Sequence, residues 1–380
     1  MKILIIMGGF FPGQKYGGPP VSVNNFCSLF RENECYIVTK NHDKDESVPY
    51  EGIDTGIWIK RDNCYVKYVS DENYKKSEFE KVILEIKPDI LYLQGLFQSC
   101  VLPCLELAKQ YSLKVMLAPR GELCAGAFKK KYKKIPYIIF LKLFGLLKNI
   151  YFQSTSDEET KAIKQYLSAK DNRVYMLSNV PSIPSNKELE VNKKSGQAKF
   201  IFLSRIVPKK NLLAALNYMS NIKGSVEFDV YGALEDESYW EECKRQIARL
   251  PKNIKVEYKG LVNHDQVHDT FRKYDAFIFP TFSENFGHVI AEALMVGCPI
   301  IISNQTPWND VADVKGGWSI PLEESEQYIQ AIQEIVNADE DEEILFRKNI
   351  LNYIEGKMNL KALQENYAEC FSKMISENNK

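Results

Sequence analysis

Short apolar runs recur along the chain, and each is followed by a stretch where apolar residues return every third or fourth position. Runs of this kind read as buried strands, and the stretches between them as helices that bury one face. In the first half the strand pattern falls at 3–6, 36–39, 90–93, 115–118 and 150–153, with a shorter run at 173–176. Helical spacing covers 20–30, 74–86, 100–111 and 157–167, the last opening on acids after Ser154-Thr-Ser156 as helix starts often do. At 178–197 the pattern lapses into a polar stretch with two prolines and no period, which predicts an interdomain linker. A second series follows, with strands at 200–203, 226–231, 255–258, 276–279 and 299–302 and helices between them. The tail is helical from about 323 to 376, and its last piece places residues 363, 367, 371 and 374 on one face. Strands alternating with helices predict parallel sheets of the α/β class. Two such halves imply a cleft between them, with ligands held at the carboxyl ends of the strands.

Composition narrows the picture. At 380 residues the chain suffices for two domains of ordinary size, and 45% apolar with 26% charged residues describes a soluble globular protein. A net charge of −1 gives no overall nucleic-acid signature. Nine scattered cysteines without a C-x-x-C pair predict a reducing, cytosolic setting, and Cys100 and Cys104 lack partners for a zinc pattern. Residues 1–7 are too short an apolar core for a signal peptide and read as a first strand. No apolar run approaches the roughly 18 residues a membrane span needs.

The densest chemistry sits at 280–294, where a buried run leads into Pro-Thr-Phe-Ser-Glu284-Asn-Phe-Gly287-His288 and then a helix expected over 286–296. A helix start offers unsatisfied backbone N–H groups and the positive end of a dipole, which suits a phosphate. Gly287 permits close approach of a ligand, and His288 and Glu292 share one helix face. Four other loops follow predicted strands. Gly17 and Gly18 close a glycine-rich turn that can bring amides to a diphosphate or simply turn the chain. Arg120, between Pro119 and Gly121, can present a fork to a phosphate or carboxylate, or form a surface ion pair. Arg205 and Lys210 flank a turn at Pro208 and can offset the charge of a leaving diphosphate, with Lys209 left to solvent. Backbone groups near Gly260 and Val262 can read a base. His264 and His268, four apart, read as a structural pair on one helix.

Residues 125–150 stand apart, with seven lysines, no acid, and many aromatic and aliphatic side chains. Such a segment fits an anionic membrane surface. It also fits a core helix behind a solvated basic loop, or a site for an anionic acceptor.

With these residues in view, the chain resembles the retaining GT-B glycosyltransferases of family 4, and the likeness to their E-x7-E signature is most specific at Glu284 and Glu292. The resemblance implies two Rossmann-like domains facing a central cleft, 1–180 for the acceptor and 181–359 for the donor. It also implies a final helix, about 360–380, that crosses back to the first domain. It implies that Glu284 contacts the donor sugar and Glu292 the ribose, while the amides around Asn285, Phe286 and Gly287 hold the diphosphate and Ser283 belongs to the same donor-binding loop. Arg205 and Lys210 match the R-x4-K pair beside the leaving group, and Gly17 and Gly18 match the N-terminal glycines. Tyr92 and Gln94 stand where relatives often carry His-x-His, and the Arg120 loop stands where many carry a His. Arg120, Gln94 and Tyr92 are thereby assigned to the acceptor side, as in polysaccharide-type members.

The expectation is transfer of a hexose or N-acetylhexosamine from a UDP- or GDP-sugar to a hydroxyl of a lipid-linked glycan, in polysaccharide or O-antigen synthesis. The chemistry would require domain closure over the cleft, no metal or other cofactor is expected, and the expected setting is cytoplasmic, at the inner face of the membrane. A nucleotide-sugar epimerase on the same fold, or a non-catalytic membrane-associated partner of a glycan assembly complex, are the alternatives.

Overall fold

The computed structural model describes residues 1–13, 15–124, 128, 131–186, 189 and 191–377. Of the basic segment, residues 125–127, Lys129, Lys130 and the side chain of Lys131 lie outside the described residues. The chain divides into two units, Met1–Val180 with Leu360–Lys380, and Pro181–Asn359.

Among the described residues, the first unit is built on eight strands: β1 (Lys2–Ile6), β2 (Glu34–Lys40), β3 (Trp58–Arg61), β4 (Cys64–Val69), β5 (Ile90–Gln94), β6 (Val115–Ala118), β7 (Tyr151–Ser154) and β8 (Val174–Met176). Their order in the sheet is β3-β4-β2-β1-β5-β6-β7-β8, parallel except where β3 runs against β4. Strands β5, β6 and β7 are buried along their whole length, as strands covered by helices on both faces must be. The β3–β4 hairpin was not expected. Its apolar pattern is broken by Lys67, which is buried only because its ammonium pairs with Glu78 at 2.7 Å. The helix Leu360–Ser376 packs Tyr367, Cys370, Phe371 and Met374 against Phe26, Phe30 and Tyr92 in this unit's core. Burying side chains the size of Phe371 and Met374 stabilises by roughly 1.5–3 kcal/mol each, enough to fasten the helix there.

The second unit holds β9 (Gln197–Leu203), β10 (Ser225–Tyr231), β11 (Ile254–Gly260), β12 (Ala276–Phe279), β13 (Ile300–Ser303) and β14 (Gly317–Ile320). All pair in parallel, in the order β11-β10-β9-β12-β13-β14. In strand β14, which was not expected, Gly317 and Ser319 dilute the two large apolar residues. The order reverses direction between β9 and β12, so the loops leaving these two neighbours diverge and open a crevice at their carboxyl ends.

The expected linker, 178–197, is tied at both ends to the unit it adjoins. The Val180 carbonyl accepts a bond of 3.1 Å from the buried Asn25 amide. Lys193, 5% exposed, sets its ammonium 3.5 Å from the Asp275 carboxylate. The division into units falls inside this stretch, at Val180 and Pro181, and the described polar groups that are buried there, Asn179 and Lys193, each have a partner.

Candidate active site

The crevice at β9 and β12 is shaped by two loops stitched to each other. The turn Pro208–Lys210 ends at Asn211, whose φ of 60° is left-handed and whose side-chain amide donates to the Pro280 carbonyl at 2.9 Å. The Lys209 carbonyl accepts from the Phe282 amide at 3.0 Å and from the Thr281 hydroxyl at 3.2 Å. These bonds carry Lys210 to Glu284, and the two side chains form an ion pair 10% and 14% exposed. The Lys210 ammonium also lies 5.3 Å from the centre of the Phe279 ring. Arg205 leaves the same loop, and its Nη1 donates to Glu235 Oε2 at 2.9 Å. The Arg205 loop is tied to β10 by the Ser204 amide, 3.1 Å from the Tyr231 carbonyl. A Cβ at Gly232 would fall 1.7 Å from the Ser204 carbonyl oxygen, so only glycine fits that crossing. Arg205 and Lys210 each hold a carboxylate, which offsets the cost of gathering two cations.

The loop carrying Ser283, Asn285 and Phe286 is braced from behind. The Glu284 amide donates to the Gln305 carbonyl at 3.0 Å, and Trp308 Nε1 donates to the Phe286 carbonyl at 2.6 Å. Gly287, at φ 75° and ψ 63°, caps the helix His288–Met295. The helix is therefore shorter than the expected 286–296, because the left-handed glycine turns the chain out of helical geometry. At this helix start the Ile290 and Ala291 amides donate to the Gly287 carbonyl at 2.9 and 3.1 Å, and the positive end of the helix dipole points back along the loop.

Glu292 sits one turn into that helix, 5% exposed. Burial pushes its carboxyl up to about 8, so the unliganded protein keeps it protonated at neutral pH. Its Oε1 is 3.8 Å from Nδ1 of His264, whose own pKa is lowered by burial. The expected histidine pair is divided. His264 opens the turn His264–Gln266, whereas His268 belongs to the helix Val267–Phe271, where burial and then Arg272 lower it to about 4. Proximity to Glu292 gives His264 a place in the site that spacing alone did not reveal. Glu235 was missed as well, since nothing marks a single acid in a loop until its partner is known. Gly260, φ 78°, ends β11 with Val262 just beyond, on the far side of β10 from β9, and its carbonyl accepts from the Gly232 amide at 2.8 Å.

In the first unit, Gly17 at φ 73° precedes the helix Gly18–Leu29. Pro19 and Pro20 occupy its first turn and carry no N–H, so this helix start offers fewer donors than the glycine pair promised. Arg120 adopts a left-handed φ of 57° and binds inward: Nε donates to Gln94 Oε1 at 2.8 Å, Nη1 to Asn179, and Nη2 to the Tyr92 hydroxyl at 3.4 Å. Arg120, Gln94 and Tyr92 are thus one hydrogen-bonded cluster. The Tyr92 hydroxyl passes the chain on to Gln153, whose amide donates to the Tyr367 hydroxyl of the last helix at 2.7 Å. The nine cysteines are all free. Among the described residues, no group of three or more His, Cys, Asp or Glu is arranged to hold a metal ion, and no helix is long and apolar enough to cross a membrane.

Residues 185–350 match the family described as glycosyl transferases group 1. A 42.6 kDa protein of the cps region of Klebsiella pneumoniae is 24% identical over 341 residues, spanning 80% of this chain and 85% of that protein. Sucrose-phosphate synthase from Thermosynechococcus elongatus superposes with a TM-score of 0.72 at 14% identity, over 99% of each chain. Anabaena HepE, solved with UDP and glucose, gives 0.72 at 14% identity, over 98% of this chain and 100% of its own. The fold is that of GT-B glycosyltransferases, two Rossmann-like sheets, and the second unit carries a group 1 glycosyltransferase domain, which makes the protein a transferase.

Proposed function

We propose that this glycosyltransferase retains configuration as it moves a hexose or N-acetylhexosamine from a UDP- or GDP-sugar to a hydroxyl of a lipid-linked glycan in cell-surface polysaccharide synthesis. The observation that carries the reading is the Lys210–Glu284 pair beside Arg205, set where the strand order reverses. That HepE was solved with UDP-glucose supports a nucleotide sugar, and the cps-region relative supports a capsule-type glycan.

In this reading Glu284 accepts hydrogen bonds from the donor sugar's hydroxyls, and Glu292 from the ribose hydroxyls. Amides around Asn285 and Gly287 hold the diphosphate, and Gly260 and Val262 lie along the base. The bond from the sugar's anomeric carbon to the phosphate oxygen breaks. A bond from the acceptor oxygen forms on the same face, and the acceptor proton passes to the departing phosphate. Lys210 carries three N–H donors and Arg205 five, so each can keep its carboxylate and still bind that phosphate as charge develops. No metal is required for this neutralisation. Arg120, Gln94 and Tyr92 shape the acceptor side, and the reaction takes place on the cytoplasmic face of the membrane.

A thermal-shift panel of UDP, GDP, ADP and their sugars identifies the donor, because a ligand at about 100 times its Kd stabilises by about 2.7 kcal/mol. Lys210→Ala and Glu284→Ala should each cut transfer about a hundred-fold or more while the fold persists. Near-normal transfer by either variant overturns the assignment.

A further inference from the structure

The helix Lys131–Leu143 has two apolar faces, and only one of them is covered. Ile138 and Leu141 point into the core, 3% and 0% exposed. On the opposite side Tyr132, Ile135, Ile139, Phe140 and Leu143, with Phe144 just past the helix end, stand 71%, 38%, 49%, 38%, 79% and 57% exposed. At 3.6 residues per turn the five helical positions fall within an arc of about 140°. They form a contiguous stripe rather than scattered surface residues, and the Phe140 and Phe144 rings lie 4.4 Å apart at its end. A soluble helix normally turns polar residues outward, so an outward apolar stripe points to a surface it enters.

The lysines say which surface. On the same helical projection Lys133 and Lys142 fall roughly 20° beyond the two edges of the stripe. Lys133 lies 5.8 Å from the Tyr132 ring centre, and the exposed Lys142 ammonium is 2.9 Å from the Ser168 hydroxyl. Lys148 is exposed beyond the helix end, and no acid occurs anywhere in 125–150. Apolar side chains flanked on both margins by cations match the boundary between acyl chains and anionic headgroups. A core helix behind a solvated loop leaves the exposed stripe unexplained, and an acceptor pocket would not need it.

We infer that the helix Lys131–Leu143 lies in the surface of an anionic membrane, with Tyr132, Ile139, Phe140 and Leu143 entering the acyl boundary and Lys133 and Lys142 at the headgroups. The inference deepens the proposed function by giving the lipid-linked acceptor a surface to meet, but its test needs neither donor nor acceptor.

The full chain is sedimented with vesicles of phosphatidylcholine alone, or of phosphatidylcholine with phosphatidylglycerol. Binding should be about ten-fold tighter to the anionic vesicles and weaken as salt rises. The double variant Phe140→Asp, Leu143→Asp should lose binding about ten-fold or more, and Lys133→Glu, Lys142→Glu should lose the preference for anionic lipid. Both pairs are exposed, and a far-ultraviolet circular dichroism spectrum and melting temperature like the wild type's, taken without nucleotide, confirm that each variant is folded. Failure of the wild type to bind, equal binding to both vesicles, or an aspartate variant that binds like the wild type overturns the inference. So does a lipid-free dimer, seen by light scattering, that the aspartate variant dissociates, because the stripe then covers a second copy of the chain. None of these outcomes touches the donor reading, which the Lys210 and Glu284 variants test.

Discussion

Replacing Glu292 by Gln removes one titrating proton from the second unit and changes little in shape. In the folded protein burial raises this carboxyl to about 8 from an ordinary value of 4.5. Between these two values the native state holds a proton that the unfolded chain has released. Stability is therefore complete below the lower value, declines as pH rises through the window, and levels off above the upper one. At about 1.36 kcal/mol per unit, the whole window corresponds to at most roughly 4–5 kcal/mol, and relaxation around a buried carboxylate lowers this to about 2–4. Gln is neutral at every pH, so subtracting the variant from the wild type cancels other groups, including Glu343, which burial raises to about 7. Trp240, Trp308 and Trp318 all belong to the second unit, so tryptophan fluorescence during urea unfolding follows mainly that unit. The two proteins should agree within about 1 kcal/mol near pH 5, and the variant should be more stable by about 2–4 kcal/mol near pH 9. A difference that stays constant with pH would show that Glu292 ionises as freely folded as unfolded, and would refute the reasoning. The same titration bears on function. Ribose hydroxyls donate best to an ionised carboxylate, so nucleotide affinity should rise from about pH 7 to about 9 in the wild type and stay flat in the variant.

Gly287→Ala should cost about 1–2 kcal/mol for the left-handed backbone, and more because the new Cβ would stand 3.0 Å from Ile290 Cδ1. The melting temperature should fall and nucleotide binding weaken together, and an unchanged melting temperature would contradict the strained-cap account. Arg120→Ala strips a charged partner from Gln94 and Asn179, which are 3% and 5% exposed, and should destabilise the first unit by about 1–3 kcal/mol in chemical denaturation. Wild-type stability would mean that the cluster is held by other contacts and that the guanidinium is spare for a ligand.

What was legible in the sequence depended on whether a residue's surroundings repeat along the chain. Strands β5 and β12 are buried along their whole length, so every position but the terminal Gln94 is apolar or aromatic and the run announces itself. The β3–β4 hairpin and β14 lie at sheet edges, where Lys67 or Gly317 can replace an apolar residue once a partner or a tight approach is supplied from elsewhere. The same distinction separates the halves of the site. Glu284, Lys210 and Arg205 were legible because each follows such a run, and a residue after a parallel strand stands at the carboxyl edge whatever the order of the strands. Their partners were not legible. The Lys210–Glu284 contact spans 74 residues and exists because β9 lies beside β12 in the sheet. The Arg205–Glu235 contact spans 30 and depends on β10 lying on the other side of β9. Spacing likewise put His264 and His268 on one helix, and only the packed structure divides them and brings His264 to Glu292. The helix Lys131–Leu143 completes the argument. Periodicity can show that a helix has an apolar face, but not that it has two, nor which of them the rest of the chain covers. That depends on volume and contact, and here they leave the stripe from Tyr132 to Leu143 outside the core.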